Sequence, residues 1–132
     1  MDDFSEGGSG LQLNFEDERP IFIQIAEQIE DAILSGAFPE ESQIPSTTEI
    51  SVSFKINPAT ALKGINILVD SGIVYKKRGI GMFVSTGAVE ILREKRKKDF
   101  FDKYILTLAT EAKRLNLSKD DIIAMIERGF EK

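Results

Sequence analysis

The sequence predicts an α+β fold: a helical cluster closed by a small hairpin, then a shorter helical segment at the C-terminal end. Three observations carry that prediction. Apolar residues recur at helical spacing in three stretches before residue 70. Two short apolar or alternating runs, Ile73–Lys77 and Met82–Ser85, flank a glycine-containing turn at 78–81. Helical periodicity then returns from Val89 onward. Three segments are expected: a flexible polar leader over 1–10, a domain over 11–85, and a two-helix segment over 86–132.

Gly7-Gly8-Ser9-Gly10 suits a flexible leader, and Leu11-Gln12-Leu13-Asn14-Phe15 alternates as a short strand or extended arm does. Pro20 belongs in a first helical turn. Phe22, Ile25, Ala26, Ile29 and Ile33 then mark one face of an amphipathic helix that Gly36 terminates. Ser46 with Glu49 forms a capping box that opens a short helix, about Thr47 to Phe54, with Ile50 and Phe54 inward. Lys55-Ile56 turns the chain. Asn57 is a good N-cap and Pro58 a good first residue for a third helix, whose expected inward face is Ala61, Leu62, Ile65, Leu68 and Val69. Arg78-Gly79-Ile80-Gly81 supplies the positive-φ positions a tight hairpin needs. Farther on, Phe101, Tyr104, Ile105, Leu108, Ala112 and Leu115 form a helical stripe. Ser118 with Asp121 opens a last helix bearing Ile122, Ile123, Ile126 and Phe130.

Helix, helix, tight turn, helix, hairpin is the winged helix-turn-helix order. In that arrangement the third helix enters the major groove of DNA and the hairpin tip reaches flanking phosphates. Composition removes most rival chemistries. The 132 residues contain no histidine and no cysteine, so the commonest general base, zinc ligands and thiol nucleophiles are missing. No glycine-rich phosphate loop or calcium loop is present, so neither an enzyme nor a cofactor or metal is expected. Met1-Asp2-Asp3-Phe4-Ser5-Glu6 is acidic and lacks the core of a secretory signal, and no apolar run approaches ~20 residues. A cytoplasmic location without membrane contact is the expectation.

The net charge of −5 argues against nucleic acid until its distribution is considered. Residues 1–54 carry twelve acidic side chains and one basic, Arg19, for a net of −11. Residues 55–132 carry sixteen basic and ten acidic, for a net of +6. Phosphate responds to the local field, screened within ~8–10 Å at ordinary salt. The acidic half then reads as solvated surface.

Residues 20–85 resemble the DNA-binding domain of the GntR family of bacterial regulators. The matching stretches are Pro20-Ile21-Phe22-Ile23-Gln24-Ile25, Ile44-Pro45-Ser46, Asn57-Pro58-Ala59-Thr60-Ala61 and Lys77-Arg78-Gly79-Ile80-Gly81-Met82-Phe83-Val84. The short tail is similar to the YtrA-type subfamily, in which C-terminal helices mediate dimerisation. The resemblance implies that Thr60 and Lys63 touch DNA from the third helix, beside Asn57 and Ala59. It implies phosphate contact at Ser46 and Thr47, and a wing tip at Arg78 and Gly79 beside Lys76 and Lys77. Thr48 is included with the second-helix set, although the family usually carries arginine there. That departure removes a bidentate contact to phosphate or guanine.

The stripe from Phe101 to Leu115 has two readings, packing onto the winged domain or joining a second copy; its length favours the homodimer. The basic run Arg93–Lys98 is either a solvated helix face or a phosphate contact between two winged domains. Any small-molecule effector would sit at the dimer interface or against the winged domain, and no residue pattern marks one. The expected function is a homodimeric repressor binding a double-stranded operator, with a neighbouring transporter-type operon and its own gene as targets implied by the YtrA-type likeness. The alternative is a winged-helix protein-interaction module without DNA binding.

Overall fold

The computed structural model describes residues 11–132 together with the backbone strand β1, Phe4–Glu6. The rest of the expected leader lies outside the described residues. Phe4–Glu6 departs from that expectation: it pairs antiparallel with β2, Gln12–Asn14, placing Ser5 opposite Leu13. The chain forms two compact units, Met1–Arg93 and Glu94–Lys132.

In the first unit, α1 spans Ile21–Ser35 and ends on Gly36, whose φ of 88° is the left-handed C-cap that glycine adopts without strain. Ile25, Ala26, Ile29 and Ile33 are buried as the periodicity requires. Gln24 is also buried, and its side chain clamps the preceding arm. The Asn14 N–H donates to Gln24 Oε1 at 2.9 Å, while Gln24 Nε2 donates to the carbonyls of Asn14 at 2.9 Å and Arg19 at 3.0 Å. A buried amide is tolerated because it is satisfied.

The second helix, α2, spans Thr47–Phe54 and carries the predicted capping box in both directions. Lys55 closes it in a left-handed conformation, φ 54°. Asn57 Oδ1 accepts the Ala59 N–H at 2.8 Å and opens α3, Pro58–Asp70. The inward face of α3 is Ala61, Gly64, Ile65 and Leu68, at i, i+3, i+4 and i+7. Leu62 and Val69, expected in the core, are exposed instead. Gly64 is buried because α1 crosses directly over it: a Cβ there would stand 2.8 Å from the Phe22 carbonyl oxygen.

Strands β3, Val74–Lys77, and β4, Gly81–Val84, form the hairpin, with Tyr75 opposite Phe83 and Lys77 opposite Gly81. The chain at 41–44 covers its edge. Glu41 N–H donates to the Val84 carbonyl at 2.8 Å, Val84 N–H to that of Ser42 at 3.0 Å, and Ile44 N–H to that of Met82 at 2.9 Å. Helix α4, Ala88–Phe100, begins within this unit: Ala88 and Leu92 lie in its core, beyond the end expected at residue 85.

Two glutamates tie the loop before α2 to the start of α4. Glu40 accepts the N–H groups of Gly87 at 2.9 Å and Val89 at 3.1 Å. Glu41 accepts the hydroxyls of Thr86 and Tyr75. These bonds favour the ionised carboxylates, that of Gly87 foremost for Glu40 and that of Thr86 foremost for Glu41, and hold both below the ordinary glutamate value. A lowered folded value means the stabilisation is complete above pH 4.5 and is lost as pH falls through the folded value. Glu40→Gln is therefore expected to melt below wild type at neutral pH, with the gap narrowing below pH 4.5. A gap constant from neutral to acidic pH in thermal melts would contradict this cap.

The second unit holds the end of α4, one π-helical turn at Phe101–Ile105, α5 at Leu106–Arg114 and α6 at Lys119–Phe130. The Ser118–Asp121 capping box starts α6 as predicted.

Candidate nucleic-acid interface

The 3.6-residue period that turns Ala61, Gly64, Ile65 and Leu68 inward turns Ala59, Leu62, Lys63 and Asn66 outward. Asn57 and Pro58 are exposed at the helix start, and Thr60 is half-buried beside them. Of the predicted third-helix residues, Asn57, Ala59 and Lys63 lie in the open, while Asn57 spends its side-chain oxygen on the cap and keeps its amide N–H groups. Leu62 and Asn66 belong to this outward face and were not in the predicted set. The signal was available in the spacing, since 59, 62, 63 and 66 are the complement of the true inward face.

At the start of α2, Ser46 Oγ accepts the Glu49 N–H at 3.0 Å, leaving its hydroxyl proton to donate outward. Thr47 is half-buried and Thr48 exposed. The two residues share the first turn of α2, whose free N–H groups and dipole favour an anion.

The hairpin supplies the cations. Lys76 is exposed; Lys77 points to the other face, its Nζ 4.1 Å from the Phe83 ring centroid and 5.9 Å from that of Tyr75. Arg78 and Gly79 form the exposed tip, and Gly79 takes φ 77°. Gln43 steadies the turn: its Nε2 donates to the Ile80 carbonyl at 3.1 Å, and a Cβ at Gly81 would collide with that amide. On α3, Lys63 Nζ rests 4.1 Å from the Phe22 ring centroid. Such placement over a ring leaves an ammonium its N–H donors while limiting its rotamers.

Charge at this face is positive. Between residues 55 and 84 five basic side chains stand against one acidic, Asp70. Five of the acidic residues of the N-terminal half are engaged structurally. Asp17 and Glu27 pair with Arg19, Glu40 and Glu41 accept the bonds described above, and Glu49 completes the cap of α2. No ion pair holds Lys63, Lys76, Lys77 or Arg78 among the described residues. No group of acidic side chains among those residues is placed to hold a metal ion, and no helix is long and apolar enough to cross a membrane.

In the second unit the predicted stripe is largely uncovered. Phe101, Tyr104 and Leu115 are each more than half exposed, Ile105 and Leu108 are half-buried, and Ala112 alone of the six is buried. Ile123, Ile126 and Phe130 of α6 add to the exposed apolar surface.

A three-helix core, an outward helix face beginning at Asn57 and a cation-tipped hairpin define a winged helix-turn-helix DNA-binding module. Comparison with known proteins narrows that class. Residues 23–84 match the family described as bacterial regulatory proteins, gntR family. The chain is 27% identical to the HTH-type transcriptional regulator YhcF of Bacillus subtilis over 119 residues, covering 89% of this chain and 95% of that protein. It is 30% identical to the HTH-type transcriptional repressor YtrA of Bacillus subtilis over 64% of this chain and 65% of YtrA. A crystal structure of a GntR-family regulator from Bacteroides thetaiotaomicron superimposes with a TM-score of 0.72 at 32% identity, over 84% of this chain and 96% of the other. Some longer relatives are matched over only 33% or 46% of their own length. The chain belongs to the GntR family of bacterial regulatory proteins: it is a transcriptional regulator with that family's DNA-binding helix-turn-helix, not an enzyme.

Proposed function

We propose that the chain is a homodimeric repressor that binds a pseudo-palindromic operator, with α3 of each copy in the major groove and each hairpin on flanking phosphates. The observation that carries this is the coincidence of α3's outward face with Lys63, Lys76, Lys77 and Arg78, which no ion pair holds among the described residues. Ala59, Thr60 and Lys63 read base edges; Ser46, Thr47, Thr48, Asn57, Lys76, Lys77, Arg78 and Gly79 position the protein on the backbone. Two copies join through the 86–132 segment, where Phe101, Tyr104, Ile105, Leu108, Ala112 and Leu115 meet their counterparts. Two recognition helices then reach grooves ~34 Å, or a small multiple, apart. Likeness to the repressor YtrA supports repression. The YtrA-type resemblance suggests a neighbouring transporter-type operon and the protein's own gene as targets; any small-molecule effector would sit at the dimer interface or against the winged domain.

Fluorescence anisotropy on the DNA upstream of the gene, against scrambled DNA, tests this at about 50 and about 200 mM salt. Preferential binding with a steep loss at the higher salt is expected, and equal affinity for both DNAs would overturn the operator reading. Arg78→Ala should weaken binding to every sequence and lower the salt slope by about one, because one phosphate contact is lost. Thr60→Ala and Lys63→Ala should instead change which sequence is preferred. If all three variants lose affinity equally on every DNA, the division between reading and positioning residues is wrong.

A further inference from the structure

We propose that Leu62 reads a thymine methyl group in each half-site, making it a specificity-determining residue of the recognition helix. The proposal rests on the reading that α3 enters the major groove. Leu62 is 47% exposed, a leucine on the outward side of a helix whose inward side is Ala61, Gly64, Ile65 and Leu68. The inward face has no place for it, since Ala61, Gly64, Ile65 and Leu68 already fill the contact with the core and Gly64 meets α1 without room for a Cβ. Its neighbours on the outward face are Ala59, Lys63 and Asn66. It stands inside the proposed DNA contact, one turn beyond Ala59, and not at its margin.

A leucine can neither donate nor accept a hydrogen bond, so it cannot recognise the polar edges of guanine, adenine or cytosine. Among the four bases, thymine alone presents an apolar group in the major groove, its 5-methyl. A leucine there is covered by apolar surface only if a thymine lies opposite. Any other base leaves it facing polar atoms whose hydration it displaces. Lys63, held by Phe22 on the same face, supplies the polar contact beside it. The pairing is a lysine for a guanine and a leucine for a thymine.

The test removes the methyl group and nothing else. The full chain selects its preferred site from a random duplex pool, and each thymine of that site is then replaced singly by deoxyuridine. Burying one methyl-sized group is worth ~0.8 kcal/mol, so one position in each half-site should lose about fourfold in affinity, and about fifteenfold when both half-sites carry deoxyuridine. Leu62→Ala should weaken binding to the thymine site and abolish the difference between thymine and deoxyuridine at that position only. Its melting temperature should fall far less than for a buried leucine, because about half of the side chain is open in the free protein. The proposal is overturned if no thymine replacement costs more than twofold, or if the loss persists unchanged in Leu62→Ala. Lys63→Ala and Thr60→Ala, put through the same selection, separate the two layers. If they shift the selected sequence while deoxyuridine has no effect, the Leu62 assignment alone fails. If they leave it unchanged, or if no sequence is enriched at all, the groove-reading role of α3 fails with it.

Discussion

Leu108→Glu is expected to convert the protein to a monomer and to lower its affinity for a two-half-site operator by ~100-fold or more, because linked half-sites gain 10²–10⁴ from effective concentration alone. Leu108 sits on α5 between Tyr104 and Ala112 of the same stripe, half-buried within its own unit. The rest of its surface, with Phe101, Tyr104 and Leu115, is open apolar area that a single copy leaves in water. In the proposed homodimer a second copy covers that area. A carboxylate in the covered centre would be desolvated without a partner, which is costly enough to dissociate the pair. Sedimentation at tens of micromolar distinguishes the outcomes. A dimer that survives the substitution would mean the stripe packs within its own chain. Because Leu108 also contributes to its own unit, Phe101→Glu serves as a second variant. Phe101 is more than half exposed, so its replacement should dissociate the dimer while leaving helical content intact.

The parts of this fold legible in the sequence are those set by local rules. Ser46 and Glu49 gave the start of α2, Asn57 and Pro58 that of α3, and Gly36 the end of α1, because caps depend on residues within one turn. The hairpin followed from glycine placement at 79 and 81 between two short strands. Where the reading failed, the cause was nonlocal. The spacing points Leu62 and Val69 to the core because glycine does not register as apolar, so the gap at Gly64 hides the true inward face. That face is set by how closely α1 approaches, which the spacing within α3 does not contain. Gln24 looked like part of a motif, yet its role is to hold a strand ten residues upstream. Glu40 looked like solvated charge, but it caps a helix that begins more than forty residues later. The start of α4 was placed outside the winged domain although Ala88 and Leu92 belong to its core, since a polar helix with only two buried positions shows no strong stripe. On the candidate interface Lys63, Lys76 and Arg78 lie in the open as basic residues do, whereas the exposure of Leu62 was not legible, because a leucine at helical spacing reads as core.

The same sequence feature that hid the packing of α3 gives the second large expected effect. Gly64→Ala should destabilise the first unit, whereas Gly129→Ala should not, although both glycines lie inside helices. In isolation, alanine is favoured over glycine in a helix by up to ~1 kcal/mol. At Gly129 a Cβ meets nothing within 4 Å, so that preference acts alone, reduced by the position near the end of α6. At Gly64 the new Cβ would stand 2.8 Å from the Phe22 carbonyl oxygen and 3.0 Å from Cβ and Cγ2 of Ile25. The first of these is backbone and cannot rotate away, so α1 and α3 must separate. Overpacking of this kind costs ~1–3 kcal/mol and outweighs the propensity gain. At roughly 4–8 °C per kcal/mol for a domain of this size, calorimetry should record a clear fall in melting temperature for Gly64→Ala and a small rise or no change for Gly129→Ala. Because α1 also carries the Phe22 ring that holds Lys63, the separation should reduce operator affinity even at temperatures where Gly64→Ala remains folded. Equal stability in the two variants would show that α1 and α3 do not pack as closely as Gly64 requires.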